Sequence, residues 1–141
     1  MQTFLPYSDF IKTAKCLDYR RLGKQRVEAW QIYQAITNSN YGWQNHPIVN
    51  MWRGYEKCLL YYGVTICLEW IDRGYKDSIL NKFLKEIIKI KSYEYLFLTP
   101  SWIGNKKFHA SHRSNLLRKD KDYYGKFNWK EPDNLPYVWI K

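Results

Sequence analysis

Cysteine is too scarce to shape this chain: Cys16, Cys58 and Cys67 are odd in number and lie in apolar, helix-forming contexts. They make no disulfide framework, and no paired CxxC offers a metal site, so they read as reduced core residues of an intracellular, cytoplasmic protein. Long apolar runs are also missing. Nothing approaches the ~18 residues that a membrane span requires, and the opening MQTFLPYSDF lacks the basic and apolar regions of a secretory signal. The seven glycines are scattered, which excludes a phosphate-binding glycine loop; HExxH, nucleophile-elbow and helix–hairpin–helix patterns are absent. Acidic residues are few. Against 23 Lys and Arg stand 13 Asp and Glu, a net charge of +10, and an excess of that size draws polyanions from a distance. Nucleic acid, an anionic membrane and an acidic protein all meet that description.

What is abundant is aromatic carbon. Phe, Trp and Tyr make up 18% of the 141 residues, within an apolar fraction of 45%. A chain of this length fits one domain, residues 1–141, and buries about two thirds of its unfolded surface without a metal or disulfide staple. So small a core does not hide seven Trp and thirteen Tyr, and some are expected at the surface as contact residues. Periodicity points to a mainly α fold, a single compact helical bundle with aromatic-rich loops and an irregular C-terminal tail. Residues 1–6 read as extended. Ser8 offers an N-cap for a short helix to Cys16, and Asp18 one for a second helix to Thr37. After the turn-rich TNSNYGWQNH, Pro47 opens a third helix that the apolar pattern carries to Arg73, before Gly74. Gly54 and Gly63 inside it suggest tight helix contacts. Residues 78–90 form a fourth helix, 92–98 extend it or make a short strand, and 111–124 form a last basic helix.

Three segments carry candidate chemistry. In LDYRRLGKQRVEAWQ, helical spacing puts Arg20, Lys24 and Glu28 on one face, with Arg21 and Gln25 beside them. Such a ridge, with Arg26, can bind successive phosphates; it is equally the solvated face of a helix with an ordinary Lys24–Glu28 pair. Residues 105–130 hold eight basic side chains and two acidic ones, interleaved with Tyr123, Tyr124, Phe127 and Trp129. That mixture suits backbone contacts plus base stacking, with His109, His112, Arg113, Arg118 and Lys119 as candidate nucleic-acid contacts, or it merely solubilises a surface. In NHPIVNMWRGYE, His46 precedes a proline at a helix start and Arg53 lies about two turns on. Both are candidate contacts, and a structural hydrogen bond explains His46 as well.

Zinc would require His46, His109 and His112 together. No Cys or acidic residue stands at ligand spacing, so neither metal nor cofactor is expected. Trp43, Trp102 and Trp129 fall in loops and are candidates to stack on a base. The expected partner is nucleic acid, with no membrane and no obligatory protein partner. Both an enzyme and a non-catalytic nucleic-acid-binding module fit these residues.

Taken together, TFLPY, LDYRRLGKQRVEAWQ, NHPIVNMWRGYE, the FHASHRSNLLRKD block and the closing LPYVW resemble small bacterial and viral proteins grouped with the pyrimidine-dimer DNA glycosylases of the phage endonuclease V type. That resemblance implies a DNA glycosylase with AP-lyase activity on damaged or modified pyrimidines, with double-stranded DNA as its partner. It implies an α-amine that attacks C1′ and forms an imine, a glutamate on the early helix that assists, arginines that hold phosphates, and an elimination that cuts the strand. An α-amine suits this role because a useful fraction of such amines is neutral at neutral pH. In that family the glutamate directly follows Tyr-Arg. Here Tyr19-Arg20 is followed by Arg21, and Glu28 is the nearest carboxylate on the same face, two turns on. Gln2 is too bulky for efficient removal of the preceding methionine, so either the amine is that of Met1 or of a lysine such as Lys24, or the chain is no lyase. The implied catalytic set is Met1, Glu28 and Lys24.

Overall fold

The structure, a computed structural model, describes residues 1–91 and 98–140. Among them every regular element is helical: α1 (Phe10–Cys16), α2 (Tyr19–Thr37), α3 (Pro47–Trp52), α4 (Glu56–Asp72), α5 (Leu80–Lys91), α6 (Lys106–Lys119) and α7 (Lys121–Tyr124). Side-chain caps set the early boundaries. Asp9, rather than Ser8, caps α1 by accepting from Lys12 N–H at 2.9 Å, and Asp18 caps α2 by accepting from Arg21 N–H at 3.4 Å. The expectation for 92–98 falls mostly on 92–97, outside the described residues.

α4 is the central helix and packs against α1, α2 and α5. Its Leu59, Leu60, Tyr62 and Ile66 share one core with Leu22, Ala29 and Ile32 of α2, all fully buried. Gly63 lets the Phe83 ring of α5 close on α4: a Cβ there would lie 2.4 Å from that ring. The three cysteines are free and buried, and burial pushes the Cys16 and Cys58 thiols up to about 12. No helix of the described residues is long and apolar enough to cross a membrane.

Two predicted helices are in fact four. The run from Pro47 breaks after Trp52, where Gly54 takes φ +89 and α4 restarts at Glu56. Gly54 therefore ends a helix instead of tightening a contact. The basic helix begins earlier than its apolar pattern suggests, because Asn105 accepts from Phe108 N–H at 2.9 Å. It stops at Asp120, which leaves helical geometry (φ −153) and caps α7 by accepting from Tyr123 N–H at 3.1 Å. The irregular tail folds back on α6. There Ser114 Oγ accepts from Leu135 N–H at 2.9 Å, and Asn115 Nδ2 donates to Leu135 O at 3.1 Å.

Candidate active site

Residues 2–5 run through the interior, and side chains satisfy their backbone groups. Gln2 N–H donates to Glu28 Oε2 at 3.2 Å, and Gln2 O accepts from Gln25 Nε2 at 2.9 Å. Phe4 N–H donates to Gln25 Oε1 at 3.0 Å. Tyr62 Oη lies 2.8 Å from Phe4 O and 2.7 Å from Gln25 Oε1, with one proton to share between them. Leu5 N–H donates to His112 Nδ1 at 3.0 Å, and Leu5 O accepts from His109 Nδ1 at 2.8 Å. Buried peptide groups without partners are costly, which accounts for so much polarity in the interior: Gln25, Glu28, Tyr62, His109 and His112 are all buried. End residues of a domain are usually poorly ordered unless tied down. Here the tie is made from three helices.

Where the segment reaches the surface, Met1 lines a cavity of about 830 Å³ together with Arg20, Arg21, Lys24 and Glu28 of α2, Lys119 of α6 and Tyr137 of the tail. Glu28 is fixed from two sides. Its Oε2 accepts from Gln2 N–H and from Gln25 Nε2 at 3.1 Å, while Lys24 Nζ lies 3.6 Å from Oε1. The Lys24 side chain is 73% exposed, so this pair contributes little to stability. Cations crowd the mouth. Burial, then the charges of Arg21, Arg118 and Lys24, lower the affinity of Lys119 for its proton. Burial and the positive charge of the α-amine depress the pKa of His46, with Glu28 opposing them. Glu28, held from two sides, and Met1 thus share a cavity whose lining also carries Arg20, Arg21, Lys24 and Lys119.

The sequence-derived candidates divide accordingly. Met1, Glu28, Lys24, Arg20, Arg21 and Lys119 line the cavity. Arg118 lies near Lys119, and its guanidinium also meets Asn115 and Asp133 O. The others serve the fold. Arg26 pairs with Asp77 and lies over the Trp70 ring. Arg53 Nη2 donates to Gln44 O at 2.7 Å. Arg113 makes two bonds to Glu131 and one to Pro6 O. His46 Nδ1 accepts from Ile48 N–H at 3.1 Å and caps α3.

His109 and His112, expected at a phosphate, are instead buried clamps on Leu5; burial pushes the pKa of His112 down to about 3. Trp102 is buried and Trp129 is stacked on Tyr124 and Phe127, so of the three loop tryptophans Trp43 alone stands out into solvent.

Gln25, Tyr62 and Tyr137 are the site residues that sequence reasoning missed as functional. A glutamine between Leu22 and Ala29 on the inward face of α2 was the available signal, because a polar group there needs a partner. Gln2 Nε2 and His112 Nε2 are buried and lack a hydrogen-bond partner among the described residues, a local cost of the kind that functional sites carry.

Comparison with curated proteins and with solved structures finds no match. The family model described as pyrimidine dimer DNA glycosylase matches residues 1–82, the part that supplies Met1, the α2 ridge, Glu28 and His46; Lys119 and Tyr137 lie beyond it. With more than half of its length matched, and with that half forming most of the cavity, the chain belongs to the pyrimidine dimer DNA glycosylase family.

Proposed function

We propose that this protein excises damaged pyrimidines from duplex DNA and cuts the strand at the same site, with the α-amine of Met1 as nucleophile. The observation that carries this reading is the placement of Glu28. It is a buried carboxylate that accepts the Gln2 backbone N–H at 3.2 Å and so sits beside the first residue of the chain. The cations at the rim hold phosphates on either side of the damaged nucleotide, which must leave the stack at a cost of a few kcal/mol. The neutral amine attacks C1′, and the base departs with the electrons of its glycosidic bond. Glu28 stabilises the positive charge that develops on the sugar. Opening of the C1′–O4′ bond gives the imine, loss of a C2′ proton expels the 3′ phosphate, and water hydrolyses the imine to free the amine. Lys24, solvent-exposed and paired with Glu28, acts as a phosphate contact. Such a role fits an intracellular, cytoplasmic location.

A non-catalytic DNA-binding module would use the same cations, and Glu28 would then serve only as the acceptor for Gln2 N–H and Gln25 Nε2. Glu28→Gln separates the two readings, because it keeps the shape and the acceptor for Gln2 N–H while removing the charge. Melting temperature and salt-matched DNA affinity should hold, and single-turnover cleavage of dimer-containing duplex should fall roughly 10²- to 10⁴-fold. Borohydride should trap a covalent adduct that maps to the Met1 peptide. Unchanged turnover in folded Glu28→Gln, or no adduct on abasic or dimer-containing duplex, sinks the proposal.

A further inference from the structure

A column of flat groups joins the end of α4 to Arg20 at the cavity. Arg20 stands over the Tyr19 ring, with its Cζ 5.7 Å from the centroid. Tyr19 is stacked on Tyr75, which lies just beyond α4, at 6.4 Å and 27°. Tyr75 is in turn stacked on Trp70 of α4 at 4.2 Å and 26°. Arg26 closes the far end, 4.4 Å over the Trp70 ring. Cations lie favourably against aromatic faces, so a guanidinium at each end of three rings is a stable sequence of contacts.

The inner end is anchored. Arg26 pairs with Asp77, whose side chain is 2% exposed and also accepts from Ile79 and Leu80 N–H. Trp70 Nε1 donates to Lys76 O at 2.8 Å, and its ring lies so near α2 that a Cβ on Gly23 would come within 2.9 Å of it. The outer end is different. Tyr19 is 50% exposed and Tyr75 41% exposed, and neither belongs to the core. There Arg20 Nε donates to Tyr19 Oη at 3.1 Å. Its Nη groups have no hydrogen-bond partner among the described residues, and the side chain lines the cavity that holds Met1 and Glu28.

We propose that Tyr19 and Tyr75 are positioning residues for Arg20, holding its guanidinium at the cavity so that the Nη edge receives a phosphate of the DNA. The inference rests on the glycosylase reading, which brings a phosphate to this place. A loose arginine gives up rotamer freedom when it binds, and one already held gives up less. A planar fork fixed in direction also takes two phosphate oxygens at once. Tyr75 acts through Tyr19, and Tyr19 through Arg20.

The test uses the full chain and a duplex carrying a tetrahydrofuran abasic analogue, which keeps its phosphates and is not cleaved. At fixed salt, Tyr19→Phe, which removes only the hydroxyl, and Tyr75→Ala should each bind this duplex roughly 3- to 10-fold more weakly. Tyr75→Phe keeps the ring and should restore binding. In an Arg20→Ala background neither Tyr19→Phe nor Tyr75→Ala should weaken binding further, because both act through the guanidinium that has gone. A merely structural role would instead add its loss to that of Arg20→Ala. Melting curves accompany each variant, and if Tyr75→Ala melts early the cycle of Tyr19→Phe with Arg20→Ala decides. Additive losses, or no loss in either tyrosine variant, overturn the positioning role, and cleavage of dimer-containing duplex by the wild type then leaves the glycosylase reading standing. A wild type that neither cleaves that duplex nor binds the analogue overturns both.

Discussion

Gln25 and His112 do the same work from different helices, because each uses a neutral side chain to satisfy a backbone that has no sheet to pair with. Gln25 can donate and accept at once, so it meets Gln2 O and Phe4 N–H together. His112 accepts from Leu5 N–H through Nδ1, which requires that nitrogen to stay unprotonated. This has a consequence for stability in acid. Burial pushes the pKa of His112 down to about 3, and burial also lowers that of His109. An unfolded histidine takes its proton near pH 6.5. Between these values the unfolded state holds protons that the folded state refuses. The stabilisation is thus complete above about pH 6.5 and is lost as pH falls, by up to about 1.4 kcal/mol per pH unit for each histidine. His112→Gln retains an acceptor and removes one titration. Its denaturant midpoint should fall less steeply than wild type between pH 6 and pH 4.5, above the range where Asp18 and Asp77 take protons. Burial alone would raise both carboxyls, and the hydrogen bonds each accepts outweigh it. Parallel slopes for wild type and variant would remove this account.

At the level of elements, α2 was legible because cap and period agree: Asp18 stands before the run, and Leu22, Ala29 and Ile32 repeat at helical spacing and are buried. The cationic ridge and Glu28 were legible for the same reason, since one helix carries them all. The Lys24 partner of Glu28 was legible at helical spacing; the Gln2 partner was hidden, because it reaches Glu28 across 26 residues and periodicity says nothing of such contacts. His109 and His112 were misread because two histidines three apart look alike on an inner and an outer face. The α3–α4 break was hidden by glycine itself, which serves a close contact at Gly63 and a left-handed turn at Gly54. Alanine substitutions separate those roles. Gly54→Ala meets no atom within 4 Å, so its cost, roughly 1–2 kcal/mol, comes from the backbone alone. Gly63→Ala drives a Cβ into Phe83 and should cost roughly 1–3 kcal/mol by overpacking. Adding Phe83→Leu should recover part of the loss in Gly63→Ala and none in Gly54→Ala, as read from denaturant midpoints. Recovery in both, or in neither, contradicts the assignment.

Over the whole molecule, the charge of +10 is not spread evenly in effect. Arg26, Arg73, Arg113 and Lys121 are occupied by Asp77, Glu69, Glu131 and Asp133, and the three arginines are largely sheltered from solvent. Around the cavity Arg20 and Lys119 stand beside the Arg21–Asp18 and Lys24–Glu28 pairs, with Asp120 as the further acidic group, and the Lys24 side chain is 73% exposed. Affinity for duplex DNA should therefore depend on a subset of the basic residues, and salt dependence distinguishes them. Each phosphate neutralised releases condensed counterions, so the slope of log K against log salt is about −0.9 per contact. Arg20→Ala and Lys24→Ala should each make that slope shallower by about one and weaken binding to any sequence. Arg113→Ala should leave the slope unchanged and instead lower the melting temperature, because Glu131 and Pro6 O lose a partly buried partner. Binding isotherms across a salt series, beside a melting curve for each variant, decide the matter. A slope that changes as much for Arg113→Ala as for Arg20→Ala would mean that the α6 face also touches the phosphates and that the cavity rim is no privileged contact surface.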